Sequence, residues 1–215
     1  THTLDIESLG GLAKNMPRTA LIFLISAIAI CGLPPMNGFI SEFIIYTGLF
    51  SFLHCPSAAV AVYAAVGILS LVLIGGLAII CFTKAFSVVF LGTPREKLPF
   101  EPRESSSLRI APMMVSVLLM AFIVMSPQTP VFLAGRILRP MGLFADFVSR
   151  DIYPVGTASL IFLALACVLM GACELIRRAN GHKNTVKGET WGCGYTAPTP
   201  KIQYPATSFV KTLTT

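Results

Sequence analysis

The chain has 215 residues, of which 54% are hydrophobic and only 12% charged, with a formal net charge of +6 and a mean hydropathy of +0.76. A soluble domain carries about a quarter of its residues as charges, so the composition excludes an ordinary soluble enzyme or binding module and indicates an integral membrane protein. The positive charge implies no nucleic-acid partner, because it crowds into residues 95–109, 136–151 and the stretch after Glu174, flanking apolar spans where membrane topology accounts for it.

In chain order, residues 1–15 begin Thr1-His2-Thr3-Leu4, carry the acidic Asp5 and Glu7, and show neither an initiator Met nor a signal-peptide pattern. They predict an extracytoplasmic loop on a piece of something longer. Apolar spans follow at 16–33, 38–53, 58–91, 110–125 and 155–176, drawn with a window of about 20 residues, the length that crosses roughly 30 Å of hydrocarbon. The predicted fold is all-α, a polytopic transmembrane helix bundle over 16–176 with about five spans, one of them broken by Pro and Gly, and a tail at 177–215. With five crossings, the 95–109 loop (Arg95, Lys97, Arg103, Arg109) and the tail (Arg177, Arg178, Lys183, Lys187) fall on one side. The positive-inside rule makes that side cytoplasmic, in the inner (plasma) membrane.

The individual spans differ. Residues 38–53 form a short span that starts at a Pro34-Pro35-Met36-Asn37-Gly38 interruption, and such short, Pro/Gly-interrupted segments point to a transporter's working site. Residues 58–91 are too long for one untilted crossing, and Gly67 or the Gly75-Gly76 pair offers a place to bend. Residues 136–151 alternate Arg136, Arg139, Asp146, Arg150 and Asp151 with apolar side chains, which fits either a surface-lying amphipathic segment or a contact with another subunit. Glu174 precedes Arg177 and Arg178 at helical spacing, so pairing at the membrane edge explains it. The six cysteines form no CxxC pair and no ligand cluster, so no metal or cofactor is expected here, and Cys193 in Trp191-Gly192-Cys193-Gly194-Tyr195 reads as part of a glycine-rich turn.

Two charges lie inside the spans, Glu42 and Lys84. An ionised carboxylate in hydrocarbon costs roughly 2.5 kcal/mol or more, so Glu42 is by default a candidate for a proton or ion path. Pro34 and Pro35 lack N–H groups and leave the carbonyls of Ile30 and Cys31 without helical donors, and unpaired carbonyls attract water. Gly38, Glu42 and Tyr46 recur at i−4, i and i+4, with Asn37 and Ser41 beside them, a strip able to support a water chain. The bland alternative is a neutral carboxyl hydrogen-bonded to a neighbouring helix. For Lys84 two orientations stay open, with its stem snorkelling to the interface as a topology anchor or its ammonium turned into the bundle, where it exchanges a proton or pairs with a carboxylate.

Three blocks then carry a resemblance. Residues 9–17 and 27–43, with their Gly32-Leu33-Pro34-Pro35-x-x-Gly38-Phe39-x-x-Glu42 core, are similar to the proton-conducting antiporter-like subunits of complex I and its relatives. The Phe82-Thr83-Lys84-Ala85-Phe86 to Gly92 block and the Glu189 to Tyr204 block resemble one branch, the large membrane subunit (component B) of hydrogenase-4 and formate hydrogenlyase type complexes. The resemblance implies two inverted five-helix repeats with a broken helix in each, a charged residue at the Glu42 position on a hydrophilic axis, and a chain that is the C-terminal portion of such a subunit. It further implies a coupling subunit of an oxidoreductase complex without redox catalysis of its own, partnered by the lipid bilayer and by other membrane and hydrophilic subunits. A multi-subunit sodium/proton antiporter and a structural membrane scaffold are the other readings.

Overall fold

The computed structural model describes residues 5–94, 101–126, 128–129, 132–133, 136 and 146–180. The Cys193 block, His182, Lys183, Lys187, Arg95, Lys97 and most of the 136–145 stretch lie outside the described residues. Two 3-10 turns, Ile6–Ser8 and Leu12–Lys14, lead into helix α1, Pro17–Ile30, which is followed by α2, Asn37–Leu53. Helices α3, Ala58–Phe90, α4, Ser107–Met125, and α5, Asp146–Asn180, complete an all-helical bundle among the described residues.

Local chemistry sets the boundaries. Pro17 stands at the start of α1, where its missing N–H belongs to a group that has no helical partner anyway. Pro34 and Pro35 withhold the two donors that would extend α1, so the helix stops at Ile30 and turns through Cys31 and Gly32. Gly32 takes a left-handed φ of 63° at that turn.

Helices α1 and α2 lie end to end along α3 rather than side by side. At one end the N–H of Gly11 donates to the Leu91 carbonyl at 2.8 Å, and the Phe23 ring packs 5.2 Å from Phe90 and 6.4 Å from Phe86. Cys31, at the foot of α1, lies within electrostatic reach of Cys81. Further along, Leu49 of α2 packs against Gly67 of α3. Partners on α3 therefore fall steadily from 91 to 67 as the α1–α2 pair rises from 11 to 49. A hairpin of α1 on α2 would instead put residues 23 and 53 at the same end of α3.

The sequence reading drew two separate crossings at 16–33 and 38–53, whereas α1 and α2 run in series along α3. At 1.5 Å per residue α1 measures about 21 Å and α2 about 25 Å, each short of roughly 30 Å of hydrocarbon, whereas in series they match the roughly 50 Å of the 33-residue α3. Among the described residues three helices, α3, α4 and residues Gly156–Ala179 of α5, are long and apolar enough to cross alone, while α1 and α2 are shorter. Hydropathy alone does not distinguish one broken crossing from two complete ones.

The same geometry moves the opening residues. Glu104, in the loop before α4, accepts hydrogen bonds from Arg18 and Thr19 at the start of α1. Residues 5–16, 91–94 and 101–106 thus share one end of the bundle, where the sequence reading had placed 1–15 opposite the charged loop. From that end α4 runs in the same direction as α1 and α2 and touches both.

The outer surface is apolar: Leu69, Leu73 and Ile74 on α3, Leu118 and Phe122 on α4, and Val168 and Leu169 on α5 are all exposed. No soluble protein sustains so large an apolar surface in water, whereas hydrocarbon solvates it. The chain is a multi-pass helical membrane protein. An interior cluster lies at the loop end, where Leu12, Ala20 and Phe90 are buried beneath Leu9, Phe23, Phe86 and Val89. Two blocks singled out in the sequence, Leu9 to Met16 and Phe82 to Gly92, meet in this cluster. A Cβ on Gly10 would fall 2.5 Å from the Thr93 carbonyl oxygen, and one on Gly11, with φ of 66°, would fall 2.8 Å from that of Gly92, so only glycine allows this approach.

Candidate functional site: the α1–α2 break

The break is built from backbone first. Among the described residues the carbonyls of Ile30 and Cys31 accept no backbone hydrogen bond, because the donors that would reach them belong to Pro34 and Pro35. The N–H of Gly32 returns to Ala29 and that of Met36 to Leu33, closing two tight turns. Gly38, at the start of α2, is pressed onto the Ala29 carbonyl oxygen so closely that a Cβ there would overlap it. That contact joins the two half-helices.

Glu42 reaches back into this joint. Its carboxylate lies directly over Gly32, and a Cβ placed on Gly32 would stand 2.5 Å from Oε2 and 2.6 Å from Oε1. Glycine at 32 therefore serves twice, supplying the left-handed turn and vacating the space that the carboxylate fills. Glu42 is half-buried, and its carboxylate makes no hydrogen bond to another described residue. Cys31 is buried and sits within electrostatic reach of both Glu42 and Cys81. Lys84 follows Cys81 by three residues, so it lies about 4.5 Å further along α3, and it is half-buried.

The remaining predicted residues divide. Asn37 opens α2 beside the break, and its Oδ1 is buried without a partner among the described residues, a hydrogen-bond acceptor left available in the joint. Tyr46 is half-buried one turn beyond Glu42, its ring 6.5 Å from Phe50. Ser41 is exposed, and its hydroxyl donates to the Gly38 carbonyl at 2.8 Å, which commits it to its own helix. Pro34, Pro35 and Gly38 form the interruption itself.

Sequence reasoning passed over three participants. Gly32 and Cys31 precede the Pro-Pro pair, and a glycine two residues before a helix-terminating proline was the available signal for a left-handed turn. Glu104 lies in a charged loop and looked like ordinary solvated surface. The Thr19 hydroxyl, 2.6 Å away, and the Arg18 N–H, 2.7 Å away, hold its carboxyl below the ordinary glutamate range. The signal was indirect: α1 has no Ser, Thr, Asp or Asn at its N-cap, so its first donors needed an outside acceptor. Away from the break, Glu174 pairs with Arg177 and Arg178, both at 2.9 Å, as the spacing predicted.

Comparison with known proteins gives this geometry a context. Residues 1–69, which contain α1, the break, Glu42 and all of α2, match the family described as NADH:quinone oxidoreductase/Mrp antiporter, TM. The chain is 32% identical over 207 residues to "Hydrogenase-4 component B" of Escherichia coli (strain K12), an alignment covering 90% of this chain and 30% of that protein. It is 28% identical over 198 residues to "Formate hydrogenlyase subunit 3" of the same organism, covering 89% of this chain and 31% of that protein. Over 71 residues, 33% of the chain and 14% of the relative, it is 44% identical to a Na(+)/H(+) antiporter subunit of Alkalihalophilus pseudofirmus. The chain thus spans under a third of the length of each of these three relatives.

Proposed function

We propose that the α1–α2 break is a station on a proton path and that Glu42 is the group that takes up and releases the proton there, a reading supported by the match of residues 1–69 to the family described as NADH:quinone oxidoreductase/Mrp antiporter, TM. The observation that carries this reading is the placement of the Glu42 carboxylate over Gly32, inside the joint of a broken apolar helix, with the buried Asn37 Oδ1 and the unpaired Ile30 and Cys31 carbonyls near the same turn. An approaching cation favours the ionised form of any carboxyl, which is the coupling this reading requires. Lys84, one turn beyond Cys81 on α3, is the second ionisable group of the path, with its ammonium turned inward. Asn37 and Tyr46 support a water chain, and Ser41 contributes through the Gly38 carbonyl it binds.

The chain acts as the coupling part of a membrane subunit in a hydrogenase-4 or formate hydrogenlyase type complex. Redox chemistry on other subunits shifts charge along the membrane, and Glu42 responds. The extent of similarity favours this assignment, since the hydrogenase-4 and formate hydrogenlyase relatives align with about nine-tenths of the chain. Membership of a sodium/proton antiporter is the second reading, supported by the 44% identity to the Alkalihalophilus pseudofirmus relative over 71 residues. The end that gathers Lys14, Arg18, Arg103 and Arg109 faces the cytoplasm, by the positive-inside rule, in the inner (plasma) membrane.

The test uses the full-length protein in its assembled complex, in sealed inverted vesicles with a pH-sensitive dye. Glu42→Gln keeps the shape and removes the titrating group, and it should abolish substrate-driven proton uptake while assembly persists. Retained uptake in Glu42→Gln, with loss of assembly only in Glu42→Leu, would establish the scaffold reading instead. Replacing sodium in the buffer separates the two coupling ions: a strict sodium requirement favours the antiporter reading.

A further inference from the structure

Helix α1 enters the bundle without a cap of its own. Met16 at the N-cap offers no side-chain acceptor, and Pro17 leaves the N–H groups of Arg18 and Thr19 as the first donors needing partners. The acceptor comes from 86 positions away: Glu104 Oε2 receives the Arg18 N–H at 2.7 Å, and Oε1 receives the Thr19 hydroxyl at 2.6 Å. A carboxylate here also complements the positive end of the helix dipole. At its other end α1 has no covalent stiffness to rely on, since the break follows. It is held there by the Gly38–Ala29 approach and by the Glu42 carboxylate lying over Gly32.

Helix α1 is thus a rod of 14 residues clamped at the loop end by Glu104 and ending two residues before Gly32, over which the Glu42 carboxylate lies. Between these points Phe23 packs on Phe86 and Phe90 and Ala20 lies in the buried cluster at the loop end, while at the break the buried side chains are the small Ala27 and Ala29. Interlocking is therefore weaker near the break than near the loop. The clamp adds an axial restraint to the packing at the loop end.

We propose that Glu104 is a positioning residue for the Glu42 site: by fastening the start of α1 to the loop before α4, it sets where Gly32 stands beneath the Glu42 carboxylate. The functional consequence rests on the reading of Glu42 as the proton-carrying group. The structural part does not. Loss of the clamp lets α1 move along its axis, opens the joint and exposes the buried Cys31 beside it. The loop that carries Glu104 thereby acquires control over a group about 20 Å away, through one rigid element and without touching it.

Cys31 supplies the readout. In the full-length protein within its complex, with every other cysteine replaced by alanine, the rate of Cys31 alkylation by N-ethylmaleimide reports whether the joint is closed. Glu104→Ala should raise that rate severalfold, Thr19→Val by a smaller factor, and Glu104→Gln, which keeps one acceptor, by an intermediate one. Helix content measured by circular dichroism should stay at the parent value. An unchanged alkylation rate in both Glu104→Ala and Thr19→Val overturns the proposal, and should Glu104→Ala fail to assemble, Thr19→Val alone decides. Proton uptake in the same vesicles is recorded separately. Faster alkylation with unaltered uptake removes the functional half and keeps the clamp, whereas uptake that survives Glu42→Gln defeats the reading of Glu42 and leaves the alkylation result standing.

Discussion

Gly38→Ala tests the joint between the half-helices most directly. The added methyl would overlap the Ala29 carbonyl oxygen and also stand 3.2 Å from the Ala29 carbonyl carbon and 3.4 Å from the Gly32 Cα. All three neighbours are backbone atoms, so no side chain can rotate away. Relief requires α1 and α2 to separate by on the order of 1 Å, beyond the range where close-packed atoms keep their attraction. Overpacking of this kind costs about 1–3 kcal/mol, and because the obstruction is entirely backbone the upper part of that range, about 2–3 kcal/mol, is expected. Gly48→Ala is the matched control: it lies in the same helix with no atom near its would-be Cβ, so it should stabilise by roughly 0.5–1 kcal/mol through reduced backbone entropy. Thermal unfolding in detergent, followed by circular dichroism on both variants, gives the comparison. If Gly38→Ala melts at or above the parent temperature while Gly48→Ala melts below it, the end-to-end packing of α1 and α2 described above is wrong.

Gly32→Ala should affect function more than stability: the left-handed turn costs about 1–2 kcal/mol, and the methyl displaces the Glu42 carboxylate, so dye-detected proton uptake should fall well below that of the parent. Glu104 makes α1 acid-sensitive with a defined sign. Its carboxyl is held below the ordinary glutamate range by Thr19 and Arg18, so its contribution is complete above that range and is lost as the pH falls through the lowered value. Melting curves taken across acidic pH should therefore fall more steeply for the parent than for Glu104→Gln, and parallel curves would contradict the clamp. Phe23→Ala removes a ring packed against Phe86 and Phe90 and should cost about 2–3 kcal/mol for a partly buried aromatic, read as earlier cleavage of residues 5–16 by limited proteolysis.

What could be read from the residues alone was local. Glu42 announced itself by cost, and Pro34, Pro35 and Gly38 by their effect on the backbone ladder, because each acts within one or two turns. The arrangement of α1 against α2 was not legible, since an apolar run of 14 to 17 residues between turn signals has the same hydropathy whether the chain folds back or continues. Glu104 escaped notice for a related reason. A carboxylate that caps a helix 86 positions away leaves no periodicity, and only the bare N-cap of α1 hints that something must arrive. The spacing placed Ser41 beside Glu42 but could not show that its hydroxyl bonds the Gly38 carbonyl.

The division of one crossing into two unequal but similar pieces has an electrical corollary. On the proposed proton path, with about 21 Å of helix before the joint and about 25 Å after it, a charge reaching Glu42 from either face traverses close to half of the transmembrane field. Each leg of that path then carries about 1.2 kcal/mol per elementary charge for every 100 mV. Loading and discharge share the potential equally, so neither step bears the whole of it.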